Sequence, residues 1–427
     1  MLALGDVRAG HAPDAIGSSG VSVKVLGGIK VLDFSRVFAG PAATQVLGDM
    51  GADILKIEPP GGDEARYYGM TRERLEKFGG TSPSFLALNR NKRSMEIDLR
   101  HEDGKAIARK LAAGVDVVVH NYRPGVMERL GLGYEALAEH NPRLIYAEFS
   151  AYGRQGPLSH VGANDLALQA HSGLISITGE PGRSPVRCGS AIVDLHGSLA
   201  LVAGILGAII HRGQTGRGQR VEASLMLSAA HLMSYFYTEY WMDGTMHQPM
   251  GTANHLSVPN QAFPAADGEV VIIASTDEMW QRFAHAMGPE TLDIPEFSHV
   301  FARRQNRVAL VEAVSAITRT KTCAQIIDIL GKAKVVVAKI NTIGEAADNP
   351  QLVAANGRID LQVGEHSVGS VASPFQLEAV DMNSATTPPA LGHHTDDILA
   401  EFGFSRDEID GFRQSGAFGK AKATMDA

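Results

Sequence analysis

The chain is poor in cysteine: Cys188 and Cys323 are the only two in 427 residues. Two cysteines cannot build a disulfide framework, which excludes the small secreted disulfide-rich classes and points to a reduced, cytoplasmic setting. Neither has a recognisable base partner, so each reads as a small buried hydrophobe. Net positive charge is missing as well. At −8 the chain has no global field for nucleic acid, and an anionic ligand must be met by local Arg and Lys. The longest apolar run, Leu199 to Ile210, is too short to span a bilayer and is broken by glycine, so no membrane association is expected. Residues 1–24 are polar and Gly/Ser-rich, without a basic region followed by an apolar one; they read as a flexible extension rather than a signal peptide. Internal repeats and long low-complexity segments are absent.

What is present is alternation. Short apolar runs at Ile29 to Phe34, Ala52 to Ile57, Ser94 to Leu99, Val115 to His120 and Leu144 to Phe149 read as buried strands. Helical stretches fall between them at Pro41 to Met50, Glu102 to Ala113 and Tyr134 to Glu139. Strands separated by helices imply right-handed crossovers, hence an α/β fold with a Rossmann-like parallel sheet whose ligands bind beyond the carboxyl ends of its strands. Glu58 closes the second strand where an acid could hold a ribose. The turn DFSRVFAGPAA, however, has only Gly40 where dinucleotide sites use G-x-G-x-x-G, which argues against nicotinamide or flavin.

Cations gather at strand ends: Arg90, Lys92 and Arg93, then Arg100, Arg123 and Arg129. Most read as solvated, although strand-end Arg and Lys can make charge-assisted bonds to phosphate. Asn121-Tyr122-Arg123 sets an amide, a ring and a guanidinium on one turn, a cradle for adenine and its phosphates. Further on, Asp194 precedes Leu195 to His211, whose length and apolar density fit a buried helix. From position alone Asp194 reads as that helix's N-cap.

After Ala230 the pattern changes to a smaller α+β domain. Tyr235, Phe236, Tyr237, Tyr240 and Trp241 form an aromatic cluster that suits a packing surface or an acyl pocket. Strands are expected at Glu269 to Ser275 and Val335 to Ile340, with helices at Asp277 to Met287, Arg304 to Thr318 and Cys323 to Lys332. The division expected is 1–24 extension, 25–225 large domain, 226–340 small domain, and 341–427 returning to the large one.

The ordered blocks GGIKVLDFSRVFAGPAATQVLGDMGADILKIEPPGGD, NRNKRSMEIDLR, DVVVHNYRPGVMERLG, NPRLIYAEFSAYG, ALQAHSGLISITGEPG, TGRGQRVEASL and PPALGHHTDDIL resemble the class III CoA-transferase family, which includes formyl-CoA and carnitine CoA-transferases and the related alpha-methylacyl-CoA racemases. The resemblance implies the CoA-transferase family III fold, an interlocked homodimer, and acyl-CoA plus a free carboxylic acid as partners. Coenzyme A would be a substrate moiety, with no permanently bound cofactor and no metal assigned. It also implies a nucleophilic Asp194, and CoA held against Val37, Phe38, Ile97, Arg100, Asn121, Tyr122, Arg123 and Arg129.

An unperturbed Asp, with a pKa of about 3.9, is ionised at neutral pH and needs no base to act as nucleophile. That agrees with the lack of any Ser-His or Cys-His grouping. The covalent species formed would hydrolyse readily, so the stretches His171 to Gly182 and Gly251 to Asn260 are candidates for excluding water. Three departures from the family pattern stand out: Pro59 replaces an arginine after KIE, His255 to Pro259 replaces a glycine run, and Asn164 stands where racemases carry a histidine base. Asn cannot exchange a proton in the required range, which disfavours the alternative of a racemase or epimerase. The other alternative is a non-catalytic CoA-binding protein.

Overall fold

Strands β1 (Lys30–Asp33), β2 (Asp53–Glu58), β3 (Lys92–Glu96), β4 (Val117–His120), β5 (Ile145–Ser150) and β6 (Arg220–Ser224) form one all-parallel sheet in the order β3-β2-β1-β4-β5-β6. This computed structural model describes residues 24–378, 380–382 and 384–419, so the N-terminal extension lies, except for Lys24, outside the described residues. The inner strands are apolar on both faces, as Val117, Val118 and Val119 show by being fully buried, because helices cover the sheet on each side. β6 is the strand the sequence pattern did not announce. RVEAS lies at the edge, with its side chains mostly half-exposed, so it lacks the continuous apolar run of a doubly covered strand.

One face is covered by the helices Ala39–Asp49 and Ile192–Thr215, the other by Glu102–Ala113 and the C-terminal Thr395–Glu401 and Arg406–Ser415. The C-terminal segment is tied to β3 by His394 N–H donating to the Ser94 carbonyl (2.9 Å) and Gly392 N–H donating to Ser94 Oγ (2.9 Å). The Ile192–Thr215 helix has 24 residues and an 18-residue stretch of mean hydropathy 1.9, so it is long and apolar enough to cross a membrane, unlike the shorter run inside it. Here it is a core helix. Leu201, Val202, Ile205 and Ala208 enter the core, while Leu195, Leu199 and Ile210 stay exposed.

A separate core forms around Trp280, Phe283, Leu310, Ile326 and Leu330. It joins the antiparallel strands β7 (Asn260–Pro264), β8 (Glu269–Ile273) and β9 (Val336–Lys339) to the helices Asp277–Met287, Arg307–Thr318 and Cys323–Lys332. Two of these helices have the ends the pattern suggested. The third was drawn too long, because Asn306 separates it from a short helix, Val300–Gln305. A hairpin of β10 (Arg358–Val363) and β11 (His366–Val371) buries Ile359, Leu361 and Val363 beside Leu86.

Candidate active site

The Ile192–Thr215 helix starts earlier than expected, so Asp194 is not its N-cap. Ala191 holds that position and provides no side-chain bond. The cap comes from another helix. Asp165, first residue of the helix Asp165–His171, accepts the N–H groups of Val193 (2.8 Å) and Asp194 (3.1 Å) on Oδ2. Gln169, fully buried one turn on, donates to Asp165 Oδ1 (2.5 Å) and accepts the Cys188 N–H (2.9 Å). Asn164 Oδ1 is occupied in capping its own helix through Ala167 N–H (3.1 Å). Gln169 as the partner of Asp165 was not singled out in the sequence, although the i,i+4 spacing of a carboxylate and an amide was there to be read.

This arrangement leaves the Asp194 carboxylate half-buried beside a second acid. Burial, and then the charge of Asp165, push it up to about 7, with no cation opposing them among the described residues. The ordinary carboxylate value assumed from sequence therefore does not hold. Gly197 sets the depth of the helix: a Cβ there would lie 2.5 Å from the Phe149 ring. Only glycine lets the first turn, with Asp194, settle on the end of β5.

Five of the eight residues expected to hold CoA divide between two cavities at the carboxyl ends of the strands. Ile97, Arg100 and Tyr122 line one of about 510 Å³, together with Arg36, Pro59 and Leu130. Asn121 and Arg123 line another of about 520 Å³, roofed by Gly162, Ala163 and Asn164. The 164–165 step thus links the second cavity to the start of the Asp194 helix. Gly162 matters for contact, since a Cβ there would lie 2.3 Å from Arg123 Nε.

Val37, Phe38 and Arg129 line neither of these cavities. Phe38 is the N-cap of the Ala39–Asp49 helix, and Val37 lies on the same turn with φ 72°, a left-handed conformation that strains a β-branched residue. Its N–H is held by both oxygens of Asp63 (3.1 and 3.2 Å). Asn121 is less free than its type suggests. It accepts the Arg36 N–H (2.9 Å) and donates to the Arg36 carbonyl (2.7 Å), locking the β1 and β4 loops together. Arg100 is exposed, yet both its Nε and Nη2 reach Asp98 at 2.8 Å.

Two of the strand-end cations prove to be interior. Arg90 and Lys92 are buried and paired with Asp49 and Asp33, so they are neither solvated nor open to phosphate. Glu58 likewise holds no ribose: it is sealed between Arg66, which donates to it twice at 2.7 Å, and Ser94 Oγ at 2.6 Å. The two stretches proposed to exclude water are joined by Gly251 N–H donating to the Gly179 carbonyl (2.7 Å).

Asp194 lines neither cavity, but Asp165, which holds its N–H, directly follows Asn164 in the lining of the second. A parallel sheet with such cavities at its carboxyl edge defines an α/β protein built to bind and act on a ligand. The model of CoA-transferase family III matches residues 26–395, and the chain belongs to that family. It is 35% identical over 410 residues to an acyl-CoA transferase of Fusarium pseudograminearum, covering 94% of this chain and 90% of that one. With the succinyl-CoA:glutarate CoA-transferase of Mus musculus it shares 34% identity over 385 residues, 89% and 87% of the two chains. A crystal structure of a CaiB/BaiF family protein from Brucella suis superposes with a TM-score of 0.78 at 31% identity, covering 88% of this chain and 99% of that chain. The protein is therefore an enzyme of CoA transfer.

Proposed function

We propose that the enzyme moves CoA between dicarboxylic acids through covalent intermediates on Asp194. The observation that carries this reading is a half-buried carboxylate with no cationic partner among the described residues, on a helix turn that Gly197 seats against Phe149 near the end of β5. An Asp194 oxygen attacks the thioester carbonyl and expels CoA thiolate, leaving a mixed anhydride. The thiolate then attacks the Asp194 carbonyl, releasing the donor acid and forming an aspartyl-CoA thioester. The acceptor carboxylate attacks that thioester, expelling the thiolate again, and the thiolate takes the new acyl group to restore Asp194. A carboxylate titrating near 7 is half ionised there and more basic, hence more nucleophilic, than an ordinary one. Val193 and Asp194 N–H are already bound to Asp165, so the oxyanion must find other donors.

The cavity lined by Tyr122, Ile97, Arg36 and Arg100 suits the nucleotide end of CoA, and the one lined by Arg123 suits the arm leading toward Asp194. Dicarboxylic substrates are supported by the murine relative, named for succinyl-CoA and glutarate. An interlocked homodimer is part of the same reading, supported by the exposed apolar side chains Leu195, Leu199, Leu227, Trp241 and Met242. So is a reducing, cytoplasmic location, supported by two cysteines that remain unpaired. A racemase reading finds no support, because the Asn164 side chain is a helix cap. Incubation with succinyl-CoA and hydroxylamine, followed by peptide mass spectrometry, tests the chemistry: a hydroxamate at Asp194 is expected, and turnover with Asp194 unmodified overturns it.

A further inference from the structure

Away from the strand ends, the helix Ser234–Asp243 and the loop after it bring Glu239, His247 and His255 together. Gly244, in the left-handed region at φ 79°, turns the chain back so that the loop passes its own helix. Phe236, one turn before Glu239, packs edge-on against His247 at 5.0 Å and tilted against His255 at 5.5 Å, while Tyr235 lies parallel to His255 at 6.1 Å. These rings hold both imidazoles with their Nε2 atoms toward one carboxylate. Glu239 Oε2 is 2.9 Å from His247 Nε2 and 3.6 Å from His255 Nε2.

A single hydrogen bond from His247 to Glu239 accounts for only part of this. His255 Nε2 is buried and has no hydrogen-bond partner among the described residues, an arrangement that costs free energy if nothing fills the gap. The three ligand atoms all lie within 4.8 Å of one another. Zinc bonded tetrahedrally at about 2.0–2.1 Å sets its ligand atoms roughly 3.3–3.4 Å apart, and the two measured spacings bracket that distance. Two imidazoles and one carboxylate suit zinc or a similar transition ion, whereas calcium and magnesium require all-oxygen shells.

We infer that Glu239, His247 and His255 form a binding site for one divalent transition metal of the zinc type, with a fourth position open to water. The bound ion fastens the 244–259 loop to the Ser234–Asp243 helix. That loop also reaches Gly179 through Gly251, so the ion orders a segment lying against the 171–182 stretch.

The test uses the full chain stripped of metal with a chelator and titrated calorimetrically with zinc chloride, beside a His247→Ala/His255→Ala variant. Because the chain has 16 histidines, the difference between the two proteins separates this site from scattered surface binding. One zinc per wild-type chain is expected, with affinity falling roughly 100-fold or more in the variant, since even partners outside a ligand set cost about 10–100-fold. Equal binding by the two proteins overturns the site. Should the variant not fold, cobalt(II) added to stripped wild-type protein gives a second reading. The intense visible absorption of a tetrahedral ion supports the site, and the pale spectrum of the six-coordinate aqua ion overturns it.

Discussion

Two groups of carboxylates withdrawn from solvent in this molecule stand under opposite conditions. At the ends of β1 and β2, Asp33, Glu58 and Asp63 are sealed in but face Lys92, Arg66 and Lys56. Burial alone would raise the Glu58 carboxyl, yet Arg66, Lys56 and Ser94 together hold it down to about 2. At the start of the Ile192–Thr215 helix, burial acts on Asp194 with only another acid for company, and the group rises to about 7. The first group of acids fixes loops, including the strained Val37 turn that Asp63 supports. Among the described residues Asp194 holds nothing through its own side chain, and a reactive residue can be left in that state only because Asp165 does the capping for it.

The pH dependence differs in sign between the two places. Glu58, lowered in the fold, contributes stability above its unfolded value of 4.5, which fades as pH falls toward 2. Asp194, raised in the fold, favours folding only below its unfolded value of 3.8 and weighs against it increasingly as pH climbs to about 7.

The largest effect should come from removing the unpartnered acid. Asp194→Ala is expected to lower CoA exchange by roughly 10⁴-fold or more, as loss of a covalent nucleophile does, with CoA affinity changed only a few fold. Chromatographic assay and calorimetry decide it, and retained exchange refutes the nucleophile. Stripping a partnered acid of its cation should strike stability instead. Arg66→Met leaves Glu58 buried and charged, at a cost of about 3–5 kcal/mol in urea unfolding; an unchanged midpoint would mean that the pair is idle. Asp194→Asn should have the reverse sign, a gain on the order of 2 kcal/mol after allowing for solvent screening. Thermal scans should show this gain growing from the unfolded Asp194 value of 3.8 and levelling off above about 7. A flat difference would contradict the raised titration.

Asp165→Asn keeps an oxygen for capping but deletes the neighbouring charge. The rising limb of the rate–pH profile, expected near 7 in the wild type, should shift down by about one pH unit. A limb that stays in place assigns the whole rise to burial. The smallest change concerns an exposed pair: Asp98→Asn frees Arg100 and should lower the KM for acyl-CoA about two- to threefold at low ionic strength and not at high. If KM is unmoved at low salt, Arg100 takes no part in holding phosphate.

The four inner strands β1, β2, β4 and β5 could be read in the sequence as largely apolar runs, as strands covered on both faces must be. The edge strand β3 could be read only in its second half, where Ser94 to Glu96 run into buried Ile97. β6 could not, since an edge strand is under no such demand. The position of Asp194 near a helix start was equally plain, but not its state, which depends on an acid 29 residues earlier. The run Asn89 to Arg93 misled for the same reason. Local text suggested a wet cationic loop, while Lys92 is neutralised by Asp33, 59 residues away, and Arg90 by Asp49, 41 away. Spacing within one element was legible; which distant charge meets which was not.

Because Asp165 grips the first turn from outside, and Gln169 ties Cys188 to Asp165's own helix, the start of the Ile192–Thr215 helix is held without the exposed stretch from Glu180 to Arg187. Lengthening or shortening that excursion therefore leaves the direction of the reactive oxygen unchanged. The same surgery between Ser150 and Asn164 would displace the grip itself.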